Sequence, residues 1–423
     1  MIRILSALLA ACCSLSFCLG CAESTSPSAG DGEGPDPRDR PLSMAIIHFG
    51  PVDFDDPQQL AELARADVLI LSTEQLWNRT ADPQAAAKLK ALHPDLKLLG
   101  YVKAKHVRVE WGDPDLPPEQ RAYYPYDLYD ATRSYWAWTT EGDTVIDFPN
   151  AVVLNITDPH CRRVMIDNYA YHQRNSSNQV DGLYWDYFSP TLWISPDVRG
   201  DMHGEPDLDG DGIGHFEDED ELAAWQAGQV DLVQGIRRRL GQDFIQIFNG
   251  TRAALDSSFA ALGDGMFYEL FPTLPFHGGP EMELALDPTC YNNLFAARNW
   301  PRRRNGGPWL IFSHKNEITF FDDQNQLYSM KLAEFNRVVA LLVGGTAVYH
   351  RDGQYLASWP EVELDLGHPL GGVTREDRVL SREFERGRVT LTFTNGQWPL
   401  PFDFEIVQND EVVQALHFPA HVP

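Results

Sequence analysis

Basic residues are scarce in this chain. Lysine and arginine number 34 against 61 aspartates and glutamates, which gives a formal net charge of −27 and a pI near 4.7. Nucleic-acid binding draws on clustered cations that neutralise phosphate, so this balance argues against such a partner and leaves neutral or cationic ones. Cysteine is scarce as well. There are six, and four of them (Cys12, Cys13, Cys18 and Cys21) precede the body of the chain. Cys161 and Cys290 alone are left within it, where a disulfide and two buried thiols are both open readings. Three motifs are missing. There is no Gly-x-Ser-x-Gly elbow, no His-Glu-x-x-His helix, and no Gly-rich phosphate loop after the first predicted strand. Serine-hydrolase, zinc-protease and dinucleotide readings lose their usual signatures, and no organic cofactor is expected.

The one long apolar run is at the N-terminus. A basic Met1-Ile-Arg3 precedes Ile4–Leu19, too short and wrongly flanked for a membrane span, so the segment reads as an export signal. It ends at Cys18-Leu-Gly-Cys21, which resembles a bacterial lipobox with Cys21 as the lipidated residue. Cys18 stands where that pattern expects Leu. Leu9-Ala-Ala-Cys12 fits it better but leaves a very short apolar region, and secretion without lipid is the alternative. The expectation is an exported protein of the bacterial cell envelope, lipid-anchored at the outer membrane or cell surface, touching membrane only through that lipid. Residues 22–41, rich in Ser, Pro, Gly and Asp, read as a flexible tether.

Beyond the tether, 43% hydrophobic and 11% aromatic residues suit a large core. Short continuous apolar runs alternate with amphipathic stretches. Strands are predicted at 43–49, 67–72, 96–102, 182–186, 244–249, 266–270, 309–313 and 346–350. Helices are predicted at 57–66, 82–92, 159–174, 220–240 and 327–342. Eight β-α units imply a closed (β/α)8 barrel over 42–370, against a doubly wound open sheet as the competing fold. An aromatic insertion occupies 105–153, with "AYYPYDLYDATRSYWAW" at its centre. From 371 to 423 the pattern turns to period two, predicting a small antiparallel β appendage.

In such a barrel the C-terminal strand ends carry the site. "VDGLYWDYFSP" places Asp181 at the start and Asp186 at the end of the fourth strand, so Asp181 is expected to serve backbone donors and Asp186 the mouth. The sixth strand ends in "GMFYELFP" with Glu269. Carboxylates beside rings and amides suit a carbohydrate, since rings stack on sugar faces and polar groups bond hydroxyls. Glycoside hydrolysis needs two carboxyl groups, one acid and one nucleophile or base. Asp186 and Glu269 are the expected pair, with Glu269 the acid. Glu74, Lys103, Trp185, Tyr187, Asn249, Tyr268 and His314 are expected to bind substrate. Structural ion pairing is the competing account of the carboxylates and of Lys103, and a core role that of His314.

Within the acidic loop 201–219, "DLDGDGIGHFEDE" sets Asp207, Asp209 and Asp211 at alternate positions before Gly212, with Asp218 twelfth in line and Glu219 next to it. Alternating oxygens on a sharp turn suit Ca2+ in a structural role, although Ile213 and the twelfth residue depart from an EF-hand. A solvated acidic loop is the alternative.

"VLNITDPHCRRVMIDNYAYHQ" followed by "VDGLYWDYFSP" resembles the Asn-x-Thr-Asp-Pro and Asp-Gly-x-x-x-Asp signatures of TIM-barrel glycoside hydrolases similar to the endo-α-1,4-polygalactosaminidase group. "REFERGRVTLTFTNG" is similar to the terminal β segment of those proteins. The resemblance runs from about Met44 to Gly396 and implies a catalytic carboxylate at Asp186, a class of reaction and no particular substrate. The acidic loop departs from that pattern. The leading expectation is an exported glycosidase acting on a polysaccharide or oligosaccharide. Its rivals are a non-catalytic sugar-binding surface lipoprotein on a degenerate barrel and a calcium-ordered adhesion module with a protein partner.

Overall fold

A computed structural model describes residues 43–78, 80–112, 115, 124–148, 150–194, 202–249, 262–268, 309–314, 334–349, 364, 366–393 and 402–418, all within the compact unit Gly34–Pro423. The export signal with Cys21, the tether, Cys290 and Glu269 lie outside the described residues. Among the described residues no helix is long and apolar enough to cross a membrane.

Eight parallel strands close into a barrel. In chain order they are β1 (Ser43–His48), β2 (Val68–Ser72), β3 (Lys97–Lys103), β8 (Gly182–Asp186), β10 (Ile245–Asn249), β11 (Gly265–Tyr268), β12 (Trp309–His314) and β13 (Thr346–Tyr349), and β13 returns to pair with β1. Each predicted strand is found within two residues of its expected ends. The runs are apolar without interruption because both faces are covered. Ile47, Ile70, Leu99, Tyr184, Ile247, Phe267 and Val348 fill the lumen, while Leu69, Leu98, Leu183, Trp185, Phe248 and Met266 pack outward. Each such burial contributes roughly 1.5–3 kcal/mol, enough to hold in place a rim of desolvated charges that individually cost several.

Helices form the jacket where the sequence supplies caps. In the Asn155-Ile-Thr-Asp-Pro159 segment, Asn155 Oδ1 accepts from the Thr157 backbone at 3.1 Å. Asp158 caps the helix Pro159–Asn175 by accepting from His160 N at 2.7 Å, and Pro159 fits the first turn, where no backbone donor is needed. That signature is therefore a helix start. Cys161, on the same helix, is a buried free thiol whose pKa burial raises to about 12. The helix Glu219–Leu240 packs beside it, capped by Asp218.

Between β3 and β8 the insertion folds into β4 (His106–Arg108), the helix Tyr124–Thr132, β5 (Trp138–Thr139), β6 (Ile146–Phe148) and β7 (Ala151–Val153). The strands β4, β7 and β6 form a small sheet, and β5 pairs with β9 (Pro206–Asp207) of the acidic loop. Its aromatic run mostly builds its own support: Tyr129 is buried and meets Trp136 edge-on at 5.8 Å. The C-terminal strands β14 (Thr374–Glu376), β15 (Val379–Phe384), β16 (Gly387–Phe393), β17 (Phe402–Gln408) and β18 (Glu411–Phe418) make an antiparallel sheet. Its buried face joins the barrel's outer core, and Arg382 donates to the Leu341 carbonyl at 2.9 Å.

Asp181 sits at the bottom of β8 as expected, accepting from Leu98 N at 2.8 Å and pairing with Lys90 at 2.6 Å. The glycine after it is required by closeness rather than by dihedral angle, for a Cβ on Gly182 would stand 2.2 Å from the Ile245 carbonyl oxygen. Gly182→Ala is expected to lower unfolding free energy by about 1–3 kcal/mol as β8 and β10 are forced apart. Gly371→Ala, where a Cβ meets nothing within 4 Å, is expected to change it little. Urea denaturation of the two variants checks this.

Candidate active site

Asp186 closes β8 at the barrel mouth, 7% exposed. Period-two alternation turns it to the same side as Tyr184, into the lumen. Three donors converge on its carboxylate. The Tyr101 hydroxyl, on β3, donates to Oδ2. Asn249 Nδ2, at the end of β10, donates to Oδ1 at 2.9 Å, and the Tyr187 backbone N–H donates to the same oxygen at 3.0 Å. Lys103 is its register partner on β3. Donors and a neighbouring cation both favour the ionised form.

The same environment reshapes the neighbours. Burial, and then the Asp186 charge beside it, push the Tyr101 hydroxyl well above its ordinary pKa, so it stays a donor. Burial and the nearby Arg108 lower Lys103 to about 8, against the pull of Asp186 and Glu74. Among the described residues Lys103 Nζ has no hydrogen-bond or ion-pair partner, and it lies 5.3 Å from the centre of the Trp111 ring. Glu74 is in the short helix Thr73–Trp77 directly after β2. It is open to the cleft yet crowded by protein, and that enclosure raises its carboxyl pKa despite Lys103 and Arg108. Glu74 and Lys103 share a cavity of about 340 Å³ with Phe49, Ser72, Thr73, Tyr101, Val102, Arg108 and Trp111. Its walls thus offer an acceptor, a donor and rings, and Tyr101 links it directly to Asp186.

Two expected substrate contacts are elsewhere. Trp185 is fully buried on the outer face of β8, where its indole donates to Gln246 Oε1 at 3.1 Å and meets Tyr169 edge-on. Tyr268 is buried in the outer core, since the lumen position of β11 belongs to Phe267. Trp185 stands beside Asp186 in sequence and on the opposite face of β8 in space. His314 ends β12, with its side chain outside the described residues. Lys103, Tyr187 and Asn249 do adjoin Asp186, and Glu74 shares the neighbouring cavity with Lys103.

A second group of residues, not marked out by the sequence, adjoins Tyr187. Tyr187 has φ +59°, a left-handed backbone rare for an aromatic residue, immediately after Asp186. Its ring lies parallel to Trp193, 6.1 Å between centres and 11° apart, and Phe148 tilts against both at 5.3 and 5.9 Å. Beneath them is a buried polar knot. Lys105 Nζ pairs with Asp147 at 3.1 Å and donates to the Trp193 carbonyl, and His106 Nδ1 meets the same Asp147 oxygen at 3.0 Å. Burial works to raise Asp147, but Lys105 and His106 outweigh it and hold the carboxyl below its ordinary pKa. Burial takes His106 down to about 4, leaving it neutral with Nδ1–H donating. The aromatic density of the insertion was the only sequence signal for this wall, and it pointed at residues 122–138.

In the acidic loop, oxygens of Asp207, Asp209 and Glu221 converge, as do those of Asp209, Asp211 and Asp218. Gly210 and Gly212 have φ of +80° and +87°, and their N–H groups donate to Asp207 at 2.7 and 3.0 Å. Glu221, rather than Glu219, reaches back to the loop and accepts from Asp209 N at 2.8 Å.

The chain matches no protein-family model and no curated protein. It is similar in structure to a maltogenic α-amylase, AmyB, from Thermotoga neapolitana, with a TM-score of 0.44 and 11% identity over 89% of this chain and 94% of that one. It is also similar to Aspergillus fumigatus Ega3 in complex with galactosamine, with a TM-score of 0.32 and 14% identity over 67% and 98% of the two chains. The galactosidase domain of the α-galactosidase–sucrose kinase AgaSK gives a TM-score of 0.37 and 10% identity over 85% of this chain, which spans only 47% of that chain. Likenesses this distant assign no residue a role.

Tyr101→Phe keeps the ring against Phe49 and Tyr184, at 4.8 and 5.6 Å, and removes only the donor to Asp186. If Asp186 is the charged centre of this site, the variant loses about 1.5–3 kcal/mol of unfolding free energy at neutral pH, the worth of a hydrogen bond to a charged group. Urea denaturation checks this.

Proposed function

We propose that the protein is a glycoside hydrolase acting on a polysaccharide or oligosaccharide, with Asp186 as its ionised carboxylate. The observation that carries the reading is the convergence of Tyr101, Asn249 and the Tyr187 N–H on that carboxylate at a barrel mouth, with Lys103 alongside. A charge fixed in this way, next to a cavity of one-sugar size that offers Glu74 as acceptor and Lys103 as donor, fits attack on, or electrostatic support of, an oxocarbenium-like centre. Glu269 is proposed as the proton-donating partner from its position in the sequence, and Glu74, whose raised pKa also favours the protonated form, is the alternative acid. The resemblance in the Asp-Gly-x-x-x-Asp segment makes α-1,4-linked galactosamine polymers the first substrates to try. Export and attachment through Cys21 complete the proposal, placing the enzyme at the cell envelope with its substrate outside.

The oxygen-only donor set of Asp207, Asp209, Asp211, Asp218 and Glu221, on a loop that two left-handed glycines turn, fits a hard cation, and we propose structural Ca2+ there. The ion would order the loop after β8 through the β5–β9 pairing and take no part in bond cleavage.

Three outcomes are expected. On a polysaccharide panel including α-1,4-galactosamine polymer, Asp186→Asn lowers kcat by about 10³-fold while near-UV circular dichroism stays native. Wild-type activity declines as pH rises through about 8, where Lys103 loses its proton and Asp186 its cation, and Lys103→Arg moves that limb upward. Equal activity of wild type and Asp186→Asn removes Asp186 from the mechanism. Calcium at a hundred times its dissociation constant stabilises the fold by about 2.7 kcal/mol relative to chelator, with magnesium giving less. Asp209→Asn with Asp211→Asn abolishes the shift, as differential scanning calorimetry reads it.

A further inference from the structure

We propose that Tyr187 and Trp193 form a second sugar-binding subsite, so that the substrate is a chain crossing Asp186 rather than a single terminal unit held in the Glu74 cavity. The inference rests on the glycosidase reading above and deepens it. Trp193 is 38% exposed, although its ring stacks on Tyr187 and touches Phe148. A tryptophan left half open and yet fixed on both ring and backbone is what a stacking surface for a pyranose ring requires.

The fixing is costly, and it does not serve the barrel core. Lys105 and Asp147 are 1% and 0% exposed, an ion pair removed from water. Lys105 arises just past the end of β3, Asp147 lies on β6 of the insertion, and the Trp193 carbonyl that Lys105 holds belongs to the segment after β8. One ammonium therefore ties three separate stretches of chain at a point 5.1 Å from the Tyr187 ring centre and 5.2 Å from that of Trp193. The segment is anchored twice more, by Phe188 N on the Asn249 carbonyl at 3.0 Å and by Trp225 Nε1 on the Ser189 carbonyl at 3.1 Å. Tyr187 is held in its left-handed backbone by these ties, and the same turn that sets its ring also aims its N–H at Asp186. The platform and the carboxylate are thus one rigid unit.

The position also differs from that of the cavity. In barrel order the cavity belongs to the ends of β1, β2 and β3, Asp186 to β8, and the platform to the chain that follows β8. Tyr187, Trp193 and Phe148 are not among the cavity walls. A chain with one unit by Glu74 and Lys103 and another on Trp193 has its linkage near Asp186. Its ligand is the apolar face of a pyranose ring, with no charge demanded of it, because Lys105 is already engaged by Asp147 and the Trp193 carbonyl.

The test uses the full chain with dimers and hexamers of α-1,4-linked galactosamine and of α-1,4-linked glucose, measuring cleavage and calorimetric Kd. Trp193→Ala is expected to raise KM or Kd about tenfold for dimer and hexamer alike, since both reach from the cavity to Trp193, with kcat within twofold. Trp193→Phe is expected to restore most of the loss. Lys105→Met alone strands the Asp147 charge, so the paired variant Lys105→Met with Asp147→Asn carries the second arm, and it should reproduce the Trp193→Ala defect with a native circular dichroism spectrum. If the wild type cleaves a hexamer and Trp193→Ala matches it in KM, the subsite is overturned and the glycosidase reading stands. If the wild type binds a hexamer without cleaving it and Trp193→Ala loses that binding, the subsite is supported and the reading falls. If the wild type neither cleaves nor binds any of the four sugars, both fall.

Discussion

A carboxylate almost out of water has to be satisfied from several directions at once, and the arrangement of the barrel mouth follows from that requirement at Asp186. The three donors come from three different places: a hydroxyl from β3, an amide from β10 and a backbone N–H from the turn after β8. A parallel sheet with β3 and β10 on either side of β8 delivers all three together. Lys103, adjacent on β3, has no ion-pair partner among the described residues. A cation at cross-strand distance favours the charge of the carboxylate while its oxygens accept from Tyr101, Asn249 and the Tyr187 N–H.

The residues around this centre divide by what they could do for a reaction. Tyr101 and Asn249 position Asp186 and have little left to offer a ligand. Lys103 and Glu74 have polar groups with no partner among the described residues and share a cavity, so they are the groups with hydrogen bonds to give. Their pKa values are both moved toward neutrality, Lys103 downward and Glu74 upward, because enclosure disfavours each charge. Shifts of this kind, both produced by enclosure, are common where acid–base groups are held in a cleft.

Much of the scaffold was legible because it depends on local pattern. Apolar runs of five or six residues gave the barrel strands to within two residues, and the Asp158-Pro159 cap gave the start of its helix. Asp186 was legible because a lone acid at the end of an apolar strand has few places to go. Trp185 and Tyr268 were misread because neighbourhood in sequence was taken for neighbourhood in space, when a strand sends adjacent side chains to opposite faces. The Lys105–Asp147 pair was invisible for another reason. Its partners are 42 residues apart by subtraction, on a strand end and a short hairpin, and nothing periodic links them. The signature segments of the sequence also proved unequal. Asn155, Thr157, Asp158 and Asp181 are satisfied by backbone and by Lys90, so these four matched positions serve the fold, whereas Asp186 is the matched carboxylate at the barrel mouth.

The insertion after β3 is best understood through the same economy of desolvation. A barrel with a bare mouth leaves the end of β8 open to water, where a carboxylate is well solvated and weakly directed. Covering it with the β4–β7–β6 sheet brings in Trp111, Phe148 and the Asp147 that fixes Lys105, and the dielectric around Asp186 falls as those rings close in. Every electrostatic interaction inside then strengthens, including the ones that shift Lys103 and Tyr101. The strained turn at Tyr187 belongs to this cover as much as to the barrel, since its ring is packed by Phe148 and Trp193 and its N–H by Asp186. The insertion and the carboxylate therefore act as a single device: the sheet supplies the low-dielectric wall, and the wall gives one acid at the end of one strand its reach.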